Sequence, residues 1–394
     1  YPINSEMRIA IEYQYSDRNF TRFVTYAGAT HETEKWSIGG YLYSENDIKN
    51  QPLQQNLSEE QVAILQNAGD NVNLMVAPSA FEDSFSENKV LYKKVVENGI
   101  EYFEYSNNPD DTLFNVRFLL LGNNLGNYNL VNSNTIGKIY QYVAPINGVL
   151  QGNYEPITRL IAPNKIQIAT ILGGFNPSEK TKFDFEVGIS NQDSNLYSSF
   201  DDSDNKGIAA KINGKQRLLT SKTSIDAFAN WQYIQQDFRT IERLFNIEFN
   251  RDWNLTTFSG NQSLLIAGLD FNFTNLGKAT YQIENLDFSG SFSGTKHTIV
   301  GRLASKKFQF LQNASYLKSS GDYSETTFLR NQTVGKFNFK KNYIGGSFRA
   351  EDNQEKLVAT NQFSNLSQRF SEVGAFIGRG DSTKVFAEIG ILKR

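Results

Sequence analysis

A chain of 394 residues, 39% hydrophobic, 21% charged and 13% aromatic with 30 Phe and 19 Tyr, has the length of one large sheet or of two to three ordinary domains. The absence of Cys excludes disulfides and thiolate metal sites, and 39 Lys and Arg against 42 Asp and Glu leave a formal charge of −3, with no global basic field for nucleic acid. No apolar run approaches the ~18–20 residues of a spanning helix, which excludes a helical membrane protein but not a β-barrel.

Residue 1 is Tyr, and no basic stretch followed by an apolar one opens the chain, so a processed protein or a piece of a longer one is expected. Missing thiols fit export. Period-two alternation starts at once: Ile9, Ile11, Tyr13 and Tyr15 share one face of a strand, Arg8, Ala10, Glu12 and Gln14 the other. Residues 44–164 read instead as long loops or an inserted lobe. There Ser58 with Gln61 three residues later forms a capping box ahead of Val62, Ile64 and Leu65, predicting a short helix near 58–68. Gly122, Gly126, Gly137, Gly148 and Gly152, with Pro145, Pro156 and Pro163, punctuate the rest of that region.

Alternation returns after residue 165. Phe183, Phe185, Val187 and Ile189 interleave with Asp184, Glu186, Gly188 and Ser190. The same pattern holds at Ile225, Ala227, Ala229, Trp231 and Tyr233, at Leu265, Ala267, Leu269, Phe271 and Phe273, and at Val385, Ala387, Ile389 and Ile391. Asn213-Gly214, between Ile208–Ile212 and Arg217–Leu219, predicts a type I′ hairpin turn. Further breaks fall at 201–207, 319–322 and 378–381. None of these alternating windows carries the 3.6-residue spacing of a helix, so the chain reads as all-β: an antiparallel meander of roughly 14–18 strands with a loop and helix insertion.

Alternation suits both a soluble sandwich and a membrane barrel. Aromatics near the expected strand ends (Tyr13, Tyr15, Trp36, Tyr41, Tyr43, Trp231, Tyr233 and Trp253) match interfacial girdles. Charges well inside strands suit a wet lumen, and Gly39, Gly40, Gly188, Gly268, Gly345 and Gly346 suit curvature. The expectation is a single transmembrane β-barrel unit over residues 1–394, complete or part of a larger barrel, since Ile391-Leu392-Lys393-Arg394 lacks a terminal aromatic. Its lipid-facing candidates are Ile9, Ile11, Tyr13, Tyr15, Phe183, Phe185, Val187, Ile189, Leu269 and Phe271. Its lumen-facing candidates are Arg8, Glu12, Asp184, Glu186 and Arg302, and Arg117 joins Arg8 and Arg302 as a selectivity residue.

Chemistry-bearing motifs are sparse. His31 and His297 have no second His or Cys at ligand spacing, and phosphate-binding loops and a nucleophile elbow are absent, so no cofactor is expected. Asp202 and Asp204 imitate the start of a calcium loop, but Lys206 takes position 5 and Asn213 position 12, and a solvated acidic loop is the better reading. Ile241–Asn254 mixes Glu242, Arg243, Glu248, Arg251, Asp252 and Trp253. Paired carboxylates there suit a glycosidase, while the interleaved arginines suit charge pairing in a turn or lumen wall without catalysis, the reading preferred.

Four phrases, at 50–57, 106–110, 142–149 and 241–254, resemble those of large outer-membrane β-barrel proteins of Bacteroidota, over most of residues 7–260. The resemblance implies residence in the bacterial outer membrane, contact with outer-membrane lipid and with other envelope proteins or lipoproteins, and no catalytic residue. Function is then expected to be channel-like or that of a structural subunit in an export, uptake or assembly complex. The alternative is a soluble periplasmic or surface β-rich module that binds glycans or proteins through residues 44–164, and a carbohydrate-active hydrolase using Glu248 and Asp252 is the weaker third.

Overall fold

Alternating β-branched and aromatic residues make long strands here. In the computed structural model the described residues are 4–16, 20–48, 57–133, 136–200, 202–255, 258–380 and 387–394, the side chains of residues up to 21 excepted. The strands of the main sheet are β1 (Asn4–Ser16), β2 (Phe20–Glu32), β3 (Trp36–Asp47), β4 (Lys165–Ser178), β5 (Thr181–Asp193), β6 (Lys206–Leu219), β7 (Thr223–Ile234) and β8 (Gln262–Phe273). They continue as β9 (Gly277–Phe288), β10 (Phe292–Ala304), β11 (Phe308–Gly321), β12 (Ser324–Phe339), β13 (Asn342–Leu357), β14 (Gln368–Arg379) and β15 (Ala387–Lys393). These form one 15-stranded sheet, each strand antiparallel to its neighbours along the chain. No pairing joins β15 to β1 among the described residues.

The two ends of the sheet differ. At one end the reversals at 33–35, 179–180, 220–222, 274–276, 305–307 and 340–341 take two or three residues each. At the other lie the long connections 48–164, 194–205, 235–261 and 358–367. Tight reversals need left-handed backbone: Asn275 has φ 62° and Gly277 φ 135°, where an added Cβ would collide with the Arg302 carbonyl. The expected hairpin turn at Asn213-Gly214 does not form. Both residues lie inside β6, paired with Asp184 and Phe183 on one side and with Asn230 and Ala229 on the other. Cross-strand partners on both flanks outweigh the local turn preference.

The connection 48–164 holds helix α1 (Glu59–Ala68) and three small antiparallel sheets. Ser58 is its N-cap, and the capping box with Gln61 is complete. Leu65, fully buried, packs with Ala68, Met75, Ala77, Leu160 and Ala162. The last turn of α1 has no basic residue, so its carbonyls take their donors from the connection 194–205. The buried Asn195 amide bonds the carbonyls of Leu65 at 2.8 Å and Gly69 at 2.6 Å, and Ser198 bonds that of Gln66. Beyond α1 lies a second nucleus of rings, with Phe118 stacked on Tyr140 at 4.5 Å beside Tyr92 and Tyr128. Both buried hydroxyls accept a backbone N–H, that of Tyr92 from Tyr140 and that of Tyr128 from Phe103, and burial pushes each phenol up to about 12.

Candidate functional site

Directly paired residues share a face, so the register sorts the side chains. Phe175, Phe183 and Gly214 form one row, Ile171, Val187 and Ala210 another, and the same face carries Trp36, Ile38, Leu42, Ile189, Trp231, Leu269 and Phe271. This face is apolar yet open: Ile171 is 57% exposed and Ile189 50%. Toward the long connections it turns polar, with Asn285, Thr295, Lys318, Glu325 and Lys356. Its apolar belt is interrupted by Gln312, Asn331 and Thr333, whose side chains bond one another at 2.8–3.1 Å.

The opposite face is mixed at β2–β4, where it carries Val24, Tyr26, Tyr41, Ile166, Ile168 and Leu172 with Tyr26 and Tyr41 exposed, and from β5 onward it is largely polar and partly covered. Ser190 is 0% exposed, Asp226 1%, and Asp270, Glu284, Thr326 and Glu355 are buried too. A cavity of about 800 Å³ on this face spans β7 through β13 beneath residues of the connection 235–261, and this enclosed side is called concave below; another of about 630 Å³ lies on the open face near the long connections. A water-soluble sheet buries its apolar face, whereas here the face with Ile171, Val187 and Ile189 is open.

Part of the cover comes from the connection 235–261, which folds onto the concave face. Phe238 lies on Gly188 and Gly207, where a Cβ at Gly207 would strike its backbone, and the Arg239 N–H bonds the buried Ser190 hydroxyl at 2.9 Å. Further along, a single helical turn, α2 (Phe249–Trp253), ends at Asn254 in the left-handed region (φ 52°). Trp253, 1% exposed, sinks among Leu264, Leu286, Phe288, Phe292, Leu317 and Phe328. These six project inward from β8 to β12. Burial of each such side chain contributes ~1.5–3 kcal/mol. Polar ties surround this anchor: Lys296 Nζ stands 4.3 Å from the Trp253 ring, Arg330 Nη1 meets Asp252 at 2.6 Å, and Asn254 donates to Thr326 at 2.9 Å and Glu355 at 3.2 Å.

Beside the anchor the cavity wall is lined with charge and amides. Glu284 pairs with Lys296 at 3.1 Å and accepts from Gln282 and Thr298, each at 3.0 Å. Arg330 stacks on Phe328 at 4.5 Å, and its buried Nε and Nη2 have no protein partner. Nearer the short turns a second cavity of about 500 Å³ includes Lys182, Asp184, Lys215, Asp270 and Lys278. There Arg217 and Lys215 pair with Asp226 at 2.7 and 3.2 Å, and Lys278 with Asp270 at 3.2 Å.

The sequence-derived candidates fall as follows. Phe183, Phe185, Val187, Ile189, Leu269 and Phe271 are on the open apolar face, and Asp184, Glu186 and Arg302 on the concave one. Ile9, Ile11, Tyr13, Tyr15, Arg8 and Glu12 belong to β1, whose side chains lie outside the described residues. Arg117 is not on the sheet at all; it sits in the lobe, its carbonyl bonded by Ser79. Of the expected girdle aromatics, Tyr41 and Tyr43 point to the concave face, because they pair with Thr170 and Ile168. Trp253 is the buried anchor rather than a belt residue. Asp202 and Asp204 form a 3-10 turn in which Asp202 accepts from Asn205 at 3.1 Å. Glu248 pairs with Arg251 at 3.2 Å, and Asp252 with Arg330, so these two carboxylates of 241–254 meet arginines. His297 Nδ1 lies 2.9 Å from the Tyr281 hydroxyl on the open face.

Sequence reasoning missed the inward apolar nucleus. Its trace was broken alternation: Leu264 beside Leu265, Leu317 beside Tyr316 and Phe328 beside Leu329 put apolar residues on both faces.

No protein-family model and no curated protein matches the chain. Among solved structures, that of the P pilus usher (PapC) translocation pore aligns over 99% of this chain and 93% of that chain, at 8% identity and a TM-score of 0.23. At that score the two chains superpose too poorly to demonstrate a common fold. Among the described residues no helix is long and apolar enough to cross a membrane, which leaves crossing by strands untouched.

Proposed function

We propose that the chain is an outer-membrane β-barrel protein, channel-like or a structural subunit of an envelope assembly, its lumen narrowed by the inward connection 235–261. The sidedness of the sheet carries this reading: exposed Ile, Val and Phe on the convex face, buried Asp, Glu and Ser on the concave one. Hydrocarbon accepts the first, and a wet interior solvates the second. The four long connections gather at one end, beside the short reversals 289–291 and 322–323, and such one-sided long loops are a feature of outer-membrane barrels. Closure brings β15, or strands beyond it, to β1, which removes the open edges. In the lumen, the unpartnered N–H groups of Arg330 and the Glu284–Lys296 pair meet whatever passes the constriction.

Detergent dependence is the test. The purified chain is expected to stay in solution only with detergent and to insert into lipid vesicles, giving solute permeability that rises when residues 240–253 are replaced by a short Gly-Ser linker. A chain that stays monodisperse in buffer without detergent overturns the membrane reading; insertion without permeability, with or without the linker, overturns the channel and leaves the structural subunit.

A further inference from the structure

The lobe carries a second recess, outside the main sheet and unused by the reading above. It is a cleft of about 690 Å³, within the ~300–1,000 Å³ range of sites that enclose a ligand. Its walls are the rings of Phe103, Phe114 and Tyr142, with Pro78, Pro145 and Pro156 around them. The rings are braced from behind: Phe103 meets Phe114 edge-on at 5.7 Å, and Tyr142 is stacked on Tyr102 at 4.4 Å. Among these apolar groups stands one carboxylate, Glu155, whose Oε1 accepts from Asn127 Nδ2 at 2.5 Å. Burial pushes its pKa up, and no cation among the described residues offsets it. The other charges of the cleft, Lys94 and Glu101, neutralise each other at 2.9 Å on the rim. Lys94 also shows what the walls accept, since its Nζ stands 5.6 Å from the Phe114 ring centre.

We propose that this cleft binds a lysine or arginine side chain presented on a peptide. The Glu155 carboxylate takes the ammonium or guanidinium, the ring faces stabilise the same charge through their quadrupoles, and the prolines cover the alkyl stem. A partly buried carboxylate without a counter-cation is a cost to the free protein, and a cationic ligand offsets it. A neutral sugar could stack on the rings but would leave that charge uncompensated. The volume exceeds that of one amine head group several-fold, so a stretch of peptide rather than a free amine fills it.

Fluorescence polarisation of the full chain in detergent micelles tests this, with a labelled Gly-Lys-Gly-Lys-Gly peptide and its counterpart acetylated at both lysines. The lysine peptide is expected to bind and the acetylated one not, with binding lost on acidification as Glu155 takes up a proton. Glu155→Gln, which keeps an acceptor for Asn127, is expected to weaken binding tenfold or more, and Phe114→Leu several-fold, with the tyrosine near-UV dichroism of the lobe unchanged. Equal binding of the two peptides, no binding of either, or full binding to Glu155→Gln overturns the site. Spermidine competing as well as the peptide at equal charge overturns the peptide as occupant.

Discussion

The main sheet and the lobe at 57–164 are made from the same chain but turned opposite ways. In the lobe, Leu65, Met75, Leu91, Tyr92 and Leu160 are buried and the charged side chains of Lys93, Lys94, Glu101 and Glu104 face outward. In the sheet, Ile171, Val187 and Ile189 are open while Asp226, Asp270 and Glu284 are buried. On the proposed function the difference follows from the surroundings: a water-facing unit hides its apolar surface, whereas a sheet set between lipid and a wet interior would hide its polar one. Where the sheet buries apolar groups on its concave side, most of them gather under Trp253, with Tyr343 buried apart from them on β13.

Five substitutions and one titration would break or sharpen that contrast. The largest effect is expected from Trp253→Ala, which removes the most deeply buried side chain of the inward connection and costs ~3–5 kcal/mol. Hydrogen exchange should then show loss of protection across 240–255 with the outer strands unchanged. Next comes a matched pair. Val187→Arg on the open face of β5 is expected to cost ~2–4 kcal/mol in a bilayer, by analogy with lipid-facing positions. Val96→Arg, on the lobe and more open still, should stay within ~0.5 kcal/mol. Equal effects at the two positions in denaturant titrations would erase the distinction between the regions.

A smaller change, ~1–3 kcal/mol, is expected from Asn195→Ala, which leaves the carbonyls of Leu65 and Gly69 without their donor. Limited proteolysis after α1 should report it, with the sheet still intact. The pH response of the lobe can be followed without mutation. Tyr92 and Tyr128 hold their protons to about 12, against an ordinary value near 10.0, so the folded lobe binds more protons than the unfolded one between those values. Its stability is whole below pH 10 and falls as pH climbs through 12, which tyrosinate absorbance alongside lobe dichroism can follow. The least effect, within ~0.5 kcal/mol, belongs to Glu248→Gln, because its pair with Arg251 is exposed on both sides. A loss of any hydrolytic activity in that variant would revive the glycosidase reading.

Much of this was legible from side-chain order alone. Period two located the strands from 165 onward and put Phe183, Val187 and Phe271 on one side with Asp184 and Arg302 on the other, since neighbours in a pleated strand must alternate. Ser58 and Gln61 marked the start of α1, because a capping box acts within one turn. Local pattern failed where distant partners decide. Asn213-Gly214 has the composition of a turn, yet pairing along both flanks draws it into β6. Arg117 carries the charge expected of a lumen wall but sits in the lobe, which spacing along the chain cannot reveal.

By itself, then, the sequence determined the all-β class, the meander order and the two-sidedness of each strand. These follow from backbone geometry and residue alternation over a few positions. Only the tertiary structure decided which side is concave, that 235–261 turns inward, and that Trp253 leaves the aromatic belt to become an anchor. Curvature is a property of many strands together, and a side chain's surroundings depend on what the rest of the chain lays over it; neither is written in the residues beside it.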